Sequence, residues 1–364
     1  MARRSFPAPA APPVDETSLP QELDLADEDW ADEPGQDAPT PAKEPERRDM
    51  VVASASHGQR LDVFLVAGAP EFSRSHLKHL IEEGCVELDG KAVSTASRKV
   101  AAGQRVSVLL KPTAQSQAFV PEKMDLDVVF EDAHLLVVNK PAGLVVHPAA
   151  GNWTGTLMNG LLAHHAGAVD LPRAGIVHRL DKDTSGLMVV GKTLAAVTAL
   201  TRAIAAREVS RQYLALVHGV VDEAFSVTSS IGRDPVTRVK MAVVPSGKPA
   251  RTDVQRLIVG EWAPAPVVAK GERPLVRAYS GVLCTLHTGR THQIRVHLSS
   301  RRHPLVADAV YGGAQALGMT RQALHATRLS FQHPIEARAL SFEAHLPQDM
   351  AQAWATLSEV SHEV

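Results

Sequence analysis

The first segment whose residue types could do chemistry is the nonapeptide HRLDKDTSG at residues 178–186. Short apolar runs precede and follow it, and we interpret them as two strands joined by a charged turn. Asp181 would then project from a strand end into a cleft. The neighbouring Arg179 and Lys182 would keep its carboxylate ionised, as a nucleophile or a base requires. The competing interpretation, an aspartate that caps a tight turn, is the better one when this nonapeptide is considered alone.

A second polar segment, TGRTHQIRVHL at residues 288–298, contains Arg295. Thr291 could cap a helix that Pro304 ends, and Arg295 would lie in the first turns of that helix. From there its guanidinium could reach a buried anion beside the helix start. A strand would instead alternate apolar and polar residues through the same segment. The cap and the proline favour the helix.

A third segment, RQYLALVHG at residues 211–219, contains Tyr213, one of only 3 tyrosines in the chain. Its alternation predicts a strand on which Tyr213 shares a face with Ala215 and Val217. A core tyrosine with a satisfied hydroxyl is the ordinary interpretation of such a position. A more specific hypothesis is that the Tyr213 ring stacks on a nucleic-acid base.

Histidine and cysteine spacing argues against a metal site. His287, His292 and His297 are each separated by five residues, so neither a helix nor a strand places them on one face. Cys85 and Cys284 lie far apart in the sequence and offer no ligand pair. We therefore expect no metal.

The charge is unevenly distributed along the chain. Residues 1–48 hold 9 of the 24 prolines, with 5 basic and 12 acidic residues, so their net charge is −7 while the remainder carries +5. A segment of this composition cannot bury enough apolar surface to offset its ordering entropy, and we predict a disordered tail. Residues 351–364 are predicted to be a C-terminal tail. The basic remainder suits a polyanionic partner without demanding one.

Residues 50–111 show the pattern of a small domain. An amphipathic stretch, a helix capped by Ser73 and two short strands follow one another, and Arg74 and Lys78 share one helix face. A solvated face is the ordinary interpretation of two such charges. The ordered set RLD, SR, IEEGCVELDGK and GQRVSV resembles the S4-like RNA-binding module, which implies an RNA partner. Residues 112–120 read as a linker.

We interpret residues 121–350 as one domain of mixed secondary structure. Apolar strand-like runs are separated by helical patterns at residues 156–167 and 193–208. In the second helical pattern the apolar residues of one face are Leu194, Val197, Leu200 and Ile204. Strands with long helices between them indicate an α+β domain around a mixed sheet.

Taken in order, HRLDKDTSG, RQYLALVHG and TGRTHQIRVHL resemble the three active-site motifs of pseudouridine synthases related to the ribosomal large-subunit enzymes. Residues 137–148, 303–313 and 324–334 extend the resemblance, which covers nearly everything after residue 50. It implies a pseudouridine synthase catalytic domain around a mixed, mainly antiparallel sheet. The S4-like module ahead of that domain narrows the resemblance toward the D type, with the C type as the main competitor.

The resemblance also implies roles for individual residues. Asp181 matches the nucleophilic aspartate, and Arg295 matches the basic residue that pairs with it and fixes its orientation. Tyr213 matches the tyrosine that stacks on the target base and is a candidate acceptor of its proton. The residues expected to contact RNA are Arg179, Arg290, His178, Arg74 and Lys78.

Isomerisation of uridine oxidises nothing and imports no group, so no cofactor is expected. The sequence contains neither a phosphate-binding loop motif nor a GxGxxG nucleotide-binding fingerprint, which agrees with this expectation. Asp181 could attack the anomeric ribose carbon, or it could abstract the ribose 2′ proton, the route we favour; the sequence does not choose between them.

The expected partner is large-subunit ribosomal RNA or a pre-ribosomal particle, with a target in the helix 69 stem-loop. We expect a cytoplasmic monomer without a membrane segment. Two rival hypotheses are a non-catalytic RNA-binding protein built on a decayed synthase domain, and a hydrolase that pairs Asp181 with His178. Retention of Asp181, Tyr213 and Arg295 together argues against decay, and the hydrolase lacks a complete set of catalytic groups.

Overall fold

The computed structural model describes residues 46–70, 72–111, 118–149, 152–237, 239–263 and 276–359. Of the predicted acidic tail, residues 1–45 lie outside this part of the chain. Residues 46–48 belong to a paired strand, so the predicted tail boundary is wrong by three residues. The prediction of a C-terminal tail from residue 351 is also wrong as far as residue 359, because a helix packs there through buried Ala353 and Leu357.

The first unit is a four-stranded antiparallel sheet covered by two helices, with strand order β1-β4-β2-β3. Its elements are β1 (Glu46–Val51), α1 (Leu61–Gly68), α2 (Arg74–Glu82), β2 (Val86–Leu88), β3 (Lys91–Ala92) and β4 (Arg105–Leu110). The predicted cap is present, since Ser73 Oγ accepts from His76 N at 3.2 Å. Apolar side chains of both helices and of β4 form one core, which makes this unit a domain of its own.

The second unit is built on a nine-stranded sheet with strand order β5-β6-β7-β14-β8-β13-β12-β9, and β15 pairs with β14. Its elements are β5 (Val128–Glu131), β6 (Leu135–Lys140), α3 (Leu157–His164), β7 (Ser185–Gly191), α4 (Leu194–Ala205), β8 (Ser210–His218), β9 (Ala224–Thr228), β10 (Ile231–Arg233), β11 (Met241–Val243), β12 (Arg251–Trp262), β13 (Arg277–Leu286), α5 (Gln293–Ser300), β14 (Leu324–Gln332), β15 (Ala339–Glu343) and α6 (Gln348–Glu359). Among the strands that the structure describes, only the β7–β14 pairing is parallel. The mixed, mainly antiparallel sheet of an α+β domain is therefore confirmed.

Strand β7 shows how the core is divided. All seven of its residues are buried, as expected for a strand covered on both faces. Met188 and Val190 pack into the core that contains Leu157 of α3, whereas Leu187 and Val189 pack into the core beneath α4. Helices on both faces thus fix the central strands.

Three of the four residues predicted for the apolar face of α4 are buried. Val197, Leu200 and Ile204 are buried against the sheet. Leu194 is 59% exposed at the first turn, so its assignment to the buried face was wrong. The helices of the described residues are 8 to 12 residues long, and none combines the length and apolar character needed to cross a membrane.

The predicted strand at 175–177 is not formed. The chain leaves a short 3-10 segment in which Arg173 and Ala174 are left-handed, and only an isolated bridge joins Ile176 to Val190. Left-handed residues turn the chain away from an extended path. Asp181 therefore lies in a loop before β7 and not at the end of a preceding strand.

The preference for a helix over a strand at residues 291–302 is confirmed by α5, but its start differs from the prediction. The N-cap is His292, in the left-handed region at φ 56°, and no side chain caps the helix. Thr291 is not the cap. Gln293 Oε1 instead accepts from Arg290 N at 3.0 Å, which stabilises the turn just before the helix.

Candidate active site

A buried guanidinium joins two carboxylates at the centre of the second unit. Arg295 of α5 donates from Nη1 to Asp181 Oδ2 at 2.9 Å. Its Nε and Nη2 donate to Asp308 Oδ2 and Oδ1 at 2.7 and 2.9 Å. The bidentate pair with Asp308 fixes the plane of the guanidinium, so its third arm can point only at Asp181.

The charges around Asp181 keep it ionised. Burial by itself raises the pKa of this carboxyl, but His292 in its protonated form, the charges of Arg295 and Arg179 and the hydrogen bond from Arg295 together lower that pKa by more than burial raises it. The pKa of Arg295 is raised, because Asp308 and Asp181 outweigh the effect of burial. Asp181 is thus a carboxylate at neutral pH, with a side chain still 18% exposed.

His292 faces the second oxygen of Asp181. Its Nε2 lies 3.7 Å from Asp181 Oδ1, and its Nδ1 lies 2.7 Å from the Tyr311 hydroxyl. That hydroxyl already accepts from Met241 N at 3.1 Å, so its own proton is available for Nδ1. Burial lowers the pKa of His292 and raises that of Tyr311. A neutral His292 therefore carries its proton on Nε2, directed at Asp181.

A buried lysine supports the loop that carries Asp181. Lys140, at the end of β6, is 1% exposed, and its Nζ donates to the carbonyl oxygens of Pro141, Leu144 and Lys182 at 2.9, 2.8 and 3.0 Å. Burial lowers the pKa of Lys140 to about 7. Three carbonyl acceptors use all three protons of the ammonium form, so these contacts favour the charged lysine. They hold Lys182, and with it the neighbouring Asp181, in a fixed position.

An arginine connects the same loop to the C-terminal helix. Arg321 Nη1 donates to the carbonyl oxygen of Asp183 at 2.8 Å. Its Nε and Nη2 donate to Asp349 Oδ2 and Oδ1 at 2.7 and 3.0 Å, and Asp349 lies in the first turn of α6. The backbone on the C-terminal side of Asp181 is therefore held by Lys140 and Arg321 from different directions.

Two cavities meet at Asp181. The first, of about 60 Å³, is lined by Tyr213 and by the apolar Leu286, Ile294 and Leu324 as well as by Asp181. The second, of about 490 Å³, is a wider groove that extends from Asp181 toward Arg321. A flat apolar group could enter the first cavity beside Tyr213 while a longer chain follows the groove.

Tyr213 lies where the sequence placed it. It belongs to β8, and it packs into the same core as Ala215 and Val217, which confirms the predicted shared face. The tyrosine is 5% exposed and lines the first cavity together with Asp181. Its roles in stacking and proton transfer remain predictions.

The predicted RNA contacts fall into different surroundings. Arg179 is exposed and lines both cavities, and Arg290 lines the first one. Arg74 and Lys78 of α2 have side chains 58% and 56% exposed, next to acidic partners. Those four remain candidates. His178 is not a candidate, because it is 2% exposed.

The prediction that His178 contacts RNA is wrong. Its ring is buried, and Nε2 accepts from Val189 N at 3.0 Å, so the histidine anchors its segment to β7. Burial lowers its pKa to about 3 and keeps it neutral. It lines neither cavity around Asp181, which also removes the partner that the hydrolase hypothesis needed.

The three histidines considered for a metal have separate partners. His287 pairs with Asp253 at 2.6 Å, and His297 lies 2.9 Å from Thr252 Oγ1, whereas His292 faces Asp181. Within the ranges that the structure describes, no three His, Cys, Asp or Glu side chains are grouped as metal ligands would be.

Several site residues were not identified from the sequence. They are Lys140, His292, Asp308, Tyr311 and Arg321. The available signal was the family resemblance of residues 137–148 and 303–313, which contain three of the five and to which we had assigned no role. Apart from Asp308 and Tyr311, which are three residues apart, they come from separate segments, so spacing could not have grouped all five.

The geometry places one ionised carboxylate, oriented by a buried guanidinium, in the same cavity as a tyrosine ring. A family model of RNA pseudouridylate synthases matches residues 134–300, and an S4 domain model matches residues 59–106. Among solved structures, human RNA pseudouridylate synthase domain containing 1 has a TM-score of 0.46 at 26% identity, covering 69% of this chain and 98% of that one.

Two curated relatives are similar over most of their length. The ribosomal large subunit pseudouridine synthase D of Neisseria meningitidis serogroup B is 47% identical over 349 aligned residues, covering 92% of this chain and 86% of that protein. The protein of the same name from Nitrosomonas europaea is 43% identical, covering 86% of this chain and 89% of that protein. The chain belongs to the RNA pseudouridylate synthase family, and it is an isomerase with an S4 domain ahead of its catalytic domain. Both resemblances seen in the sequence are thereby confirmed.

Proposed function

We propose that this enzyme converts specific uridines of large-subunit ribosomal RNA to pseudouridine, with Asp181 as the reacting group. The observation that carries the proposal is the 2.9 Å contact from Arg295 to Asp181 in a cavity that Tyr213 also lines. The substrate class follows from the names of the similar relatives. We take the target to lie in the helix 69 stem-loop, as the D-type resemblance implies.

The target uridine must leave its stack before Asp181 can reach the ribose. Unstacking costs a few kcal/mol, and stacking on an aromatic ring returns about 1–3 kcal/mol per base. Tyr213 lies in the first cavity, whose other lining includes Leu286 and Leu324. The everted uracil occupies this cavity, while the flanking strand follows the wider groove past Arg179.

Asp181 Oδ1, which Arg295 does not hold, is the oxygen we assign to the sugar. In one route it attacks C1′ and the C1′–N1 bond breaks, so that the electron pair leaves with the uracil. The ring turns, C5 attacks C1′, the carboxylate leaves, and the C5 proton is lost while N1 gains one. In the favoured route Asp181 takes the 2′ proton, a glycal forms as N1 leaves, and the proton returns to C2′ when C5 adds to C1′. The C5 proton is then lost and N1 gains one, as in the first route. Both routes balance without an oxidant or an added group.

The S4 domain provides a second RNA contact. Arg74 and Lys78 lie on one helix of this domain with exposed side chains, where they can contact phosphates without reading sequence. A single chain supplies every residue invoked here, so the enzyme acts as a monomer. We place it in the cytoplasm, where ribosomal RNA is the available substrate.

The test uses the full-length protein and an unmodified transcript of large-subunit ribosomal RNA. Pseudouridines are mapped after incubation with the wild type, with Asp181→Asn and with Arg328→Gln as a control in an exposed ion pair of β14 and β15. The wild type and the control should modify the same few uridines, and Asp181→Asn should modify none while binding the RNA normally. A fully active Asp181→Asn would refute the role of this carboxylate. RNA binding without modification by the wild type would favour the non-catalytic alternative.

A further inference from the structure

We propose a second RNA subsite beside the active site, in which Arg233 and Lys248 hold the phosphate of a nucleotide flanking the target uridine. The inference rests on the proposed function, because it takes the substrate to be an RNA strand. It adds a binding site in a cavity that the catalytic residues do not use.

The cavity lies between the hairpin of β10 and β11 and the turn that follows it, and its volume is about 190 Å³. Its lining combines an apolar floor with two cations and two hydroxyl groups. The lining residues are Ile231, Gly232, Arg233, Met241, Ser246, Gly247, Lys248 and Thr291. An apolar surface with cations at its edge matches a nucleotide, which has a flat ring at one end and a phosphate at the other.

The cavity is preformed by backbone contacts. Ile231 N donates to the carbonyl oxygen of Lys248 at 2.9 Å, and Lys248 N donates to that of Ile231 at 2.8 Å. A Cβ atom at Gly247 would overlap the carbonyl group of Ile231, so only glycine allows the turn to lie this close to β10. The backbone of Lys248 is therefore held in place before any ligand arrives, which lowers the entropic cost of binding.

The local charge favours an anion. Residues 231–248 contain four basic residues and one acidic residue, a net charge of +3. The acidic residue, Asp234, accepts at Oδ1 from the backbone amides of Val236 and Thr237 at 2.8 and 3.0 Å, so one of its two carboxylate oxygens is engaged within the hairpin. Arg233 is exposed and Lys248 is half-buried, and both line the cavity. A phosphodiester is the anion that a nearby RNA strand presents.

The cavity adjoins the active-site cavity. Thr291 lines both this cavity and the one that contains Asp181. Arg290, which also lines the active-site cavity, donates from Nε to the carbonyl oxygen of Pro249 at 3.2 Å, next to Lys248. A strand that leaves the catalytic cavity past Thr291 therefore meets Arg233 and Lys248 directly.

The test compares the double variant Arg233→Gln/Lys248→Gln with Arg328→Gln/Arg338→Gln, which removes two exposed charges elsewhere. Affinity for the unmodified large-subunit ribosomal RNA transcript is measured over a series of salt concentrations, and the modification rate is measured at saturating RNA. Each lost phosphate contact should make the plot of log affinity against log salt shallower by about 0.7 to 1. The subsite variant should lose about tenfold in affinity at low salt, with its saturated rate within about twofold of the wild type.

Arg233→Lys/Lys248→Arg keeps the charges and should keep the salt dependence. Competition with inorganic phosphate and with a uridine-free single-stranded RNA distinguishes a site for any phosphate from one for a strand, and only the RNA should compete at micromolar concentration. A subsite variant with the salt dependence of the control would overturn the proposal, as would a loss confined to the saturated rate. Failure of the proposed function is distinguishable, because the wild type itself would then leave the transcript unmodified.

Discussion

Asp308 holds Arg295 through two hydrogen bonds of 2.7 and 2.9 Å, and this pair directs the third arm of the guanidinium to Asp181. Asp308 is 1% exposed, and both of its carboxylate oxygens accept from Arg295. The carboxylate of Asp181 is thus oriented by a residue from the irregular segment after α5. A substitution that breaks one of these hydrogen bonds should leave the remaining side chains present but out of position.

Asp308→Asn tests the orientation directly. Asparagine keeps one acceptor oxygen but replaces the other by an amide donor, so the guanidinium plane can tilt away from Asp181. A misplacement on the order of 1 Å costs about 10²-fold in rate. We expect the saturated rate to fall by about that factor with KM nearly unchanged, measured by release of the C5 hydrogen from labelled RNA. Full activity in a correctly folded variant would show that Asp308 does not orient Arg295.

The pH dependence of the reaction should reflect the lowered pKa of Asp181. The surrounding positive charge holds that pKa below the ordinary 3.8, so the carboxylate should stay ionised and active as the pH falls from 7 to 5. Arg295→Gln removes a cation that favours the charged form, so the pKa of Asp181 should rise and the acidic limb of the profile should move to higher pH. Single-turnover rates across that range measure the shift. An acidic limb unchanged by the substitution would mean that another group controls it.

The C-terminal helix should contribute to catalysis through the pair of Arg321 and Asp349. Asp349→Ala releases the arginine that donates to the carbonyl oxygen of Asp183, close to the catalytic carboxylate. We expect about a tenfold lower saturated rate with unchanged RNA affinity. Glu343→Ala is the matched control, because it breaks an exposed arginine–carboxylate pair of 3.1 Å at the sheet edge. Equal saturated rates for Asp349→Ala and Glu343→Ala would show that α6 does not influence the loop that carries Asp181.

Buried histidines should destabilise the fold in acid. Burial lowers the pKa of His147 and His178 to about 3 and that of His325 to about 4, against an ordinary value of 6.5. The unfolded chain therefore binds more protons below pH 6.5, and stability should fall as the pH decreases from there toward 4. Each such histidine contributes about 2 kcal/mol of this loss by pH 5.

His178→Gln isolates the contribution of one of these histidines. Glutamine does not titrate, so the variant should lose about 2 kcal/mol less free energy of unfolding than the wild type between pH 7 and pH 5. Denaturant titrations at the two pH values give this difference even when the substitution itself is destabilising. The same pH dependence in both proteins would contradict a buried neutral histidine at this position.

Local signals in the sequence were sufficient for most of the elements. The cap at Ser73, the apolar spacing of α4 and the alternation around Tyr213 each depend on residues that are close together in the chain. Periodicity and capping are local properties, and they place a side chain on a face of its own helix or strand. The motifs around Asp181 and Arg295 also predicted that these two residues pair, through the family resemblance, and the structure shows that contact.

The contacts between distant residues were decided only by the tertiary structure. Strand β14 lies between β7 and β8, and Lys140, Asp308 and Arg321 reach the neighbourhood of Asp181 from three separate segments. Which side chains converge depends on sheet order and register, which a local pattern does not encode. The same limit explains the error at His178, because nothing in the charged motif indicates that its ring turns inward to accept from Val189. The sequence determined the chemistry available to this enzyme, and long-range packing determined which groups share the site.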